Sequence, residues 1–191
     1  MKRILGLTIA FLLLIGMAGI GTWAYFSDVE TSTGNVLAAG TLDLKTDDVD
    51  GVSQTLLAMN MEPDSIVGPE TIILKNAGSI EGSSLDLSFT YEESDSSPNP
   101  TDESADATAA VIEVITLNYD GDSLVSSNVT DSNFNGYKDV EDLKNADLSG
   151  LSSIGASASK EFEIAVKLRG DADKAFQSDG IIITMTFILN Q

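Results

Sequence analysis

The chain contains no cysteine and no histidine, and its only tryptophan, Trp23, lies in the N-terminal leader. Without cysteine, disulfides say nothing about the redox compartment. Without histidine the commonest zinc ligand and the commonest general base are gone, and with them every Ser-His or Cys-His catalytic pair. An H-E-x-x-H zinc helix is excluded for the same reason. Positive charge is scarce too: 10 Lys plus Arg face 30 Asp plus Glu, a net charge of −20. Such a chain repels nucleic acid and anionic lipid, so its natural partners are cations, calcium above all. Paired carboxylates could serve a glycosidase, but no spacing singles out a pair.

What is present is a chain of 191 residues, 42% apolar, enough for one domain with a real core. Met1-Lys2-Arg3 is a basic start, and Ile4 to Ala24 is an uncharged, largely apolar run. This reads as a signal peptide. Thr22-Trp23-Ala24 offers a small-x-small cleavage site before Tyr25, and Gly16-Met17-Ala18 offers a second. The run is also just long enough to span a bilayer, so an uncleaved anchor is the competing reading, and the only membrane contact expected. Either way the remainder is exported. Residues 25–35 are a polar extended arm, and 36–191 are the folded domain.

Strand signals run through that domain. Leu85, Leu87, Phe89 and Tyr91 alternate with polar residues, as do Phe162, Ile164, Val166 and Leu168, and then Ile181, Ile183, Met185, Phe187 and Leu189. Period-two patterns of this kind predict strands with one buried face. Val36 to Lys45, Gln54 to Met61 and Glu70 to Lys75 are further strand candidates, and Ala110 to Tyr119 reads as a nearly fully buried strand. Asp47 to Gly51 is an acidic turn, Glu92 to Ala107 a long acidic loop, and Asp171 to Gln177 one helical turn. The one convincing helix is Asp139 to about Asp147. Short strands joined by Gly, Asn and Asp turns predict an all-β sandwich or jelly roll.

Residues 131–142 fit a calcium-binding EF-hand loop in outline. Oxygen ligands are required at its first, third, fifth, ninth and twelfth positions, a backbone carbonyl at the seventh and glycine at the sixth. Those positions hold Asp131, Asn133, Asn135, Asp139, Asp142, Tyr137 and Gly136. Hard oxygen donors suit calcium, not zinc. Two features depart from the pattern: Asp142 stands where Glu is usual, and Lys138 where an apolar residue packs. A solvated turn capping a helix through Asp139 is the plainer alternative. Asp47, Asp48 and Asp50, and Glu92, Glu93 and Asp95, are weaker acidic clusters of the same chemistry. Asn128-Val129-Thr130 is an N-glycosylation sequon, expected to be exposed.

Gly21-Thr22-Trp23-Ala24-Tyr25-Phe26-Ser27-Asp28, followed by Gly40-Thr41-Leu42-Asp43-Leu44, resembles the TasA/camelysin family of exported bacterial and archaeal proteins. In that family a G-T-x-A-x-F-x-D stretch spans the cleavage site and a G-T-L-D-L strand follows. Glu62-Pro63-Asp64, Leu74-Lys75-Asn76-Ala77-Gly78-Ser79 and Phe176-Gln177-Ser178-Asp179 are similar to later motifs of the family. The resemblance implies a jelly-roll subunit of extracellular filaments, whose partners are copies of itself and whose N-terminal segment completes the neighbour's sheet. Val36, Leu42 and Leu44 are then the assembly residues, since strand addition draws affinity from the main chain and register from alternate side chains. The alternative is that 36–45 pairs within its own domain. Camelysins are described as metalloproteases, and that role does not transfer to a chain without histidine.

Overall fold

The computed structural model describes residues 41–51, 53–95, 102–177 and 179–191. Residues 1–40, on which the expected leader, the expected arm 25–35 and Val36 fall, lie outside the described residues. The domain is all-β with few and short helices. In chain order come β1 (Leu44–Thr46), β2 (Val49–Asp50), β3 (Ser53–Ala58), β4 (Ile66–Asn76), β5 (Ser84–Glu93), α1 (Ala105–Ala109) and β6 (Ile112–Tyr119). Then follow β7 (Asp122–Ser123), α2 (Leu124–Ser127), α3 (Val140–Leu143), β8 (Ser159–Leu168), a 3-10 turn (Lys174–Gln177) and β9 (Ile181–Asn190).

Two antiparallel sheets hold these strands, one in the order β2-β1-β4-β8-β6-β7 and the other β3-β9-β5. β2 and β7 are two-residue returns of tight hairpins. Asp47 and Asp48 turn the first with φ of 52° and 62°, and Asp120 and Gly121 turn the second with φ of 54° and 86°. Positive φ at both central residues is what a hairpin turn matched to the strand twist demands, and Asp and Gly are residues that tolerate it.

The alternating runs bury the faces expected of them. Ile181, Ile183, Met185 and Phe187 of β9, Leu85, Leu87 and Phe89 of β5, and Phe162, Ile164, Val166 and Leu168 of β8 are all buried in one core. The two sheets meet there: Phe162 and Phe187 pack edge to face, 5.2 Å between ring centres. β4 shifts register against β8 between Val67 and Glu70. Gly68 makes that irregularity possible. Its φ is +97°, and a Cβ there would sit 2.6 Å from the Ile164 carbonyl oxygen, a position only glycine accepts.

Four elements differ from the sequence reading. The helix expected over 139–147 is only Val140–Leu143. Leu148 must be buried, and its carbonyl accepts the Leu87 N–H while Leu151 pairs with Leu85. The chain therefore leaves the helix early to cover the edge of β5, and tertiary pairing overrides helix periodicity. β6 is not buried on both faces: a bulge between Val114 and Thr116 leaves Ile115 39% exposed. The acidic loop after β5 ends in α1, N-capped by Ser104, a helix with no apolar periodicity to announce it. β4 begins at Ile66, four residues before the expected start.

Candidate functional site

The 131–142 loop hangs between α2 and α3, on the end of β6. Its first half is a net of short-range hydrogen bonds from backbone to side chain. Asn135 N–H and Gly136 N–H donate to the two carboxylate oxygens of Asp131, at 3.1 and 2.9 Å. Asn135 N–H also donates to Asn133 Oδ1 at 3.1 Å, and Tyr137 N–H to Asn135 Oδ1 at 2.9 Å. Gly136, at φ +90°, makes the sharp turn that a side chain would resist. Phe134 stands at the tip with φ +59°, 89% exposed.

The second half is anchored. Val114 N–H donates to the Lys138 carbonyl at 2.8 Å, and Asp139 bridges to Glu113. Lys138, the side chain that departs from the EF-hand pattern, turns its amine onto the Val125 carbonyl of α2. Arg169 lies over the Tyr137 ring at 3.8 Å, a cation–π contact. Asp139 N-caps α3, and with Asp142 it forms a reciprocal capping box.

The structure brings Asp131, Asn133, Asn135 and Asp139 into one hydrogen-bonded group. Asn133 and Asn135 both donate through their amide nitrogens to Asp139 Oδ2, at 3.1 and 2.7 Å. Asp142 is used differently. Its Oδ1 accepts from the N–H and the hydroxyl of Ser132, both at 2.7 Å, and its Oδ2 accepts from Asp139 N–H. It thus ties the first residues of the loop to the helix that follows. Burial pushes the Asp139 carboxyl above its usual range, the Asp142 charge adds to this, and the two asparagine amides oppose it. Every side chain offered is an oxygen donor, the chemistry that suits calcium. The sequence pattern located the group; it could not show that Asp142 serves the backbone.

A second acidic group was only half legible. Glu93, Asp95 and Asp102 bring carboxylate oxygens within 4.8 Å of one another, the one such set of three among the described residues. The sequence pointed to Glu92, Glu93 and Asp95; Glu92 lies on the opposite face of β5, and Asp102 replaces it across the loop. Burial and then the neighbouring Asp95 and Asp102 push the Glu93 carboxyl upward. Asp47, Asp48 and Asp50 do not form a cluster. Asp47 accepts the Ile73 N–H, Asp48 pairs with Lys75 at 2.8 Å, and Asp50 pairs with Lys45 at 2.6 Å.

Of the assembly residues, Val36 lies outside the described residues. Leu44 pairs with Asn76 of β4 and packs on the core of its own domain, and Leu42, half-buried, precedes it. For residues 44–46 the intramolecular alternative is therefore the one observed. β1 covers β4 only at residues 74–76. Among the described residues, Ile66 to Ile72 have no strand on that side, and β3 has none on the side away from β9. A groove of about 360 Å³ lies between these two open edges, lined by Thr55, Leu56 and Leu57 of β3, Val67 and Ile72 of β4, and Met185 of β9. Nothing in the sequence marks it, because it is made by what β1 fails to cover.

Asn128, the asparagine of the sequon, caps α2, is half-buried, and donates its amide nitrogen to the Asp147 carbonyl at 3.1 Å.

Among the described residues no helix is long and apolar enough to cross a membrane. Over residues 1–191 the sequence matches the protein family described as camelysin metallo-endopeptidase. No curated protein matches the chain.

Proposed function

From the premise that this chain belongs to the camelysin family, which is TasA-related and made up of surface and extracellular proteins, we propose that it is a structural subunit of an extracellular filament rather than a peptidase. In this reading the subunits join by strand addition and calcium stabilises the 131–142 loop. The observation that carries it is the groove between β3 and β4. Seven strands of three residues or more form the described sandwich, four in one sheet and three in the other, and one more would complete a jelly roll of eight. Both walls of the groove are open strand edges, and its lining mixes apolar Leu56, Val67, Ile72 and Met185 with polar Asp47, Gln54, Glu70 and Thr71. Main-chain bonds to an incoming strand would satisfy edges that are otherwise a liability.

The incoming strand is the N-terminal segment of a neighbouring subunit, from the stretch before residue 41. β1 is already used within its own sheet, so the donated part moves upstream of Leu42 and Leu44. Export by a signal peptide cleaved before Tyr25 would free that segment. Calcium is assigned to Asp131, Asn133, Asn135, Asp139 and the Tyr137 carbonyl, with Asp142 holding the loop shut.

The family's description implies a metal-dependent peptidase, and a peptidase zinc site does not fit this chain. A peptidase zinc site draws on histidine, and there is none in the sequence. The Glu93, Asp95 and Asp102 group would offer carboxylates alone, the donor set of calcium rather than zinc. Electron microscopy of the mature protein with calcium and with chelator tests the proposal. Filaments in calcium that thin or fall apart in chelator support it; a monomer under both conditions that cleaves peptides would replace it.

A further inference from the structure

The outer face of the β3-β9-β5 sheet stands out from the rest of this acidic molecule. The register places Thr55, Thr184 and Thr90 side by side in one rank across the three strands, and Ser53, Thr186 and Ser88 in the next. These six hydroxyls form a grid with columns about 5 Å and ranks about 7 Å apart, the spacing that strand geometry imposes. Their neighbours on the same face are largely apolar: Leu57 is 54% exposed and Ile188 51%, with Ile182 beside Leu57. No lysine or arginine lies in these ranks. Asp86, at one end, is tied to Gly150 N–H and to the Asn190 amide, which leaves Glu92 as the acidic residue at the other.

We propose that this face is a lateral docking surface for the same face of a second copy of the chain. Three features choose that occupant. A protein of net charge −20 repels its own copies over most of its surface, and a nearly uncharged face is where two can approach. A hydroxyl both donates and accepts, so a grid of hydroxyls is complementary to itself, as a two-fold contact requires. The ranks carry no aromatic side chain on which a sugar ring could stack, so a polysaccharide is poorly served. The face is too small for a stable isolated dimer, since each partner in one covers about 800 Å². Its effect comes from repetition along a polymer, and for that multiplicity the inference rests on the filament reading.

The test uses the full mature chain polymerised in calcium. Ser88→Glu with Thr90→Glu places like charges on two exposed positions of β5, neither of which lines the groove. Filaments of unchanged length should form, while the fraction of protein in side-by-side bundles, pelleted at low speed, falls about fivefold or more. Ser88→Thr with Thr90→Ser should bundle like the parent. Bundling untouched by the Glu pair overturns the proposal. The absence of cysteine provides a second readout that needs no filament. Oxidised Thr184→Cys protein should give disulfide-linked dimers well above a Ser127→Cys control, even if the filament reading itself fails. No excess over the control overturns the proposal, as does co-sedimentation with a neutral glucan that the Glu pair abolishes while dimers stay at the control level.

Discussion

Phe162 of β8 and Phe187 of β9 meet edge to face at 74°, both fully buried, and this one pair joins the two sheets at the centre of the sandwich. Each ring lies on a strand whose alternation is unbroken, so each is aimed inward by register alone. Phe187→Ala empties a ring's volume from a fully buried site in the core. We expect a loss of about 3–5 kcal/mol, read as a lowered urea midpoint at an unchanged slope. A loss below about 1 kcal/mol would mean that the sheets are not packed through this pair.

The two ends of the 131–142 loop should respond differently to truncation. Asp131→Ala removes a carboxylate whose partners all lie within the loop. Its stability in chelator should stay close to the parent, while calcium affinity by calorimetry falls and the melting gain from calcium disappears, since a ligand of the native state stabilises by mass action. Asp142→Ala breaks the capping box and frees Ser132, so it should cost about 1 kcal/mol in chelator as well. Equal melting of the parent protein with and without calcium would remove calcium from the account.

The buried Asp139 gives a pH signature with a definite sign. Its carboxyl is raised above the ordinary value of 3.8, so between that value and its folded value the native state holds the proton more tightly than the unfolded chain. Its contribution to stability is present at acid pH and is lost as pH rises through the folded value. In chelator, Asp139→Asn should flatten this part of the profile, the variant gaining on the parent as pH rises from 3.8 through the folded value. Calcium should reverse the trend, because it binds the ionised form. Urea midpoints across that range, with and without calcium, read both effects; parallel profiles for parent and variant in chelator would contradict the assignment.

The strands that were legible in the sequence are those whose burial depends only on their own alternation: β5, β8 and β9. Their inward residues were the core residues found. What was hidden depends on distant partners. Helix α3 stops at Leu143 because Leu148 to Leu151 are needed along β5, and nothing within residues 139–147 records that need. The Glu93 and Asp95 group gains Asp102 from beyond a loop. The ligand-like spacing of 131–142 was legible because the loop's hydrogen bonds are local; that Asp142 caps α3 and fastens Ser132 was not. The groove came from the shortness of β1, a property of pairing with β4 rather than of composition.

The central claim is that a segment before residue 41 fills the groove between β3 and β4 of another copy. The most direct measurement is negative-stain microscopy of the mature protein beside the same protein lacking residues 25–35, both in calcium, with circular dichroism on the same samples. Both should show the same β-rich spectrum, and only the longer protein should form filaments. A synthetic peptide of residues 25–40 should shorten those filaments by capping open grooves. Filaments of ordinary length from the truncated protein would contradict strand addition outright.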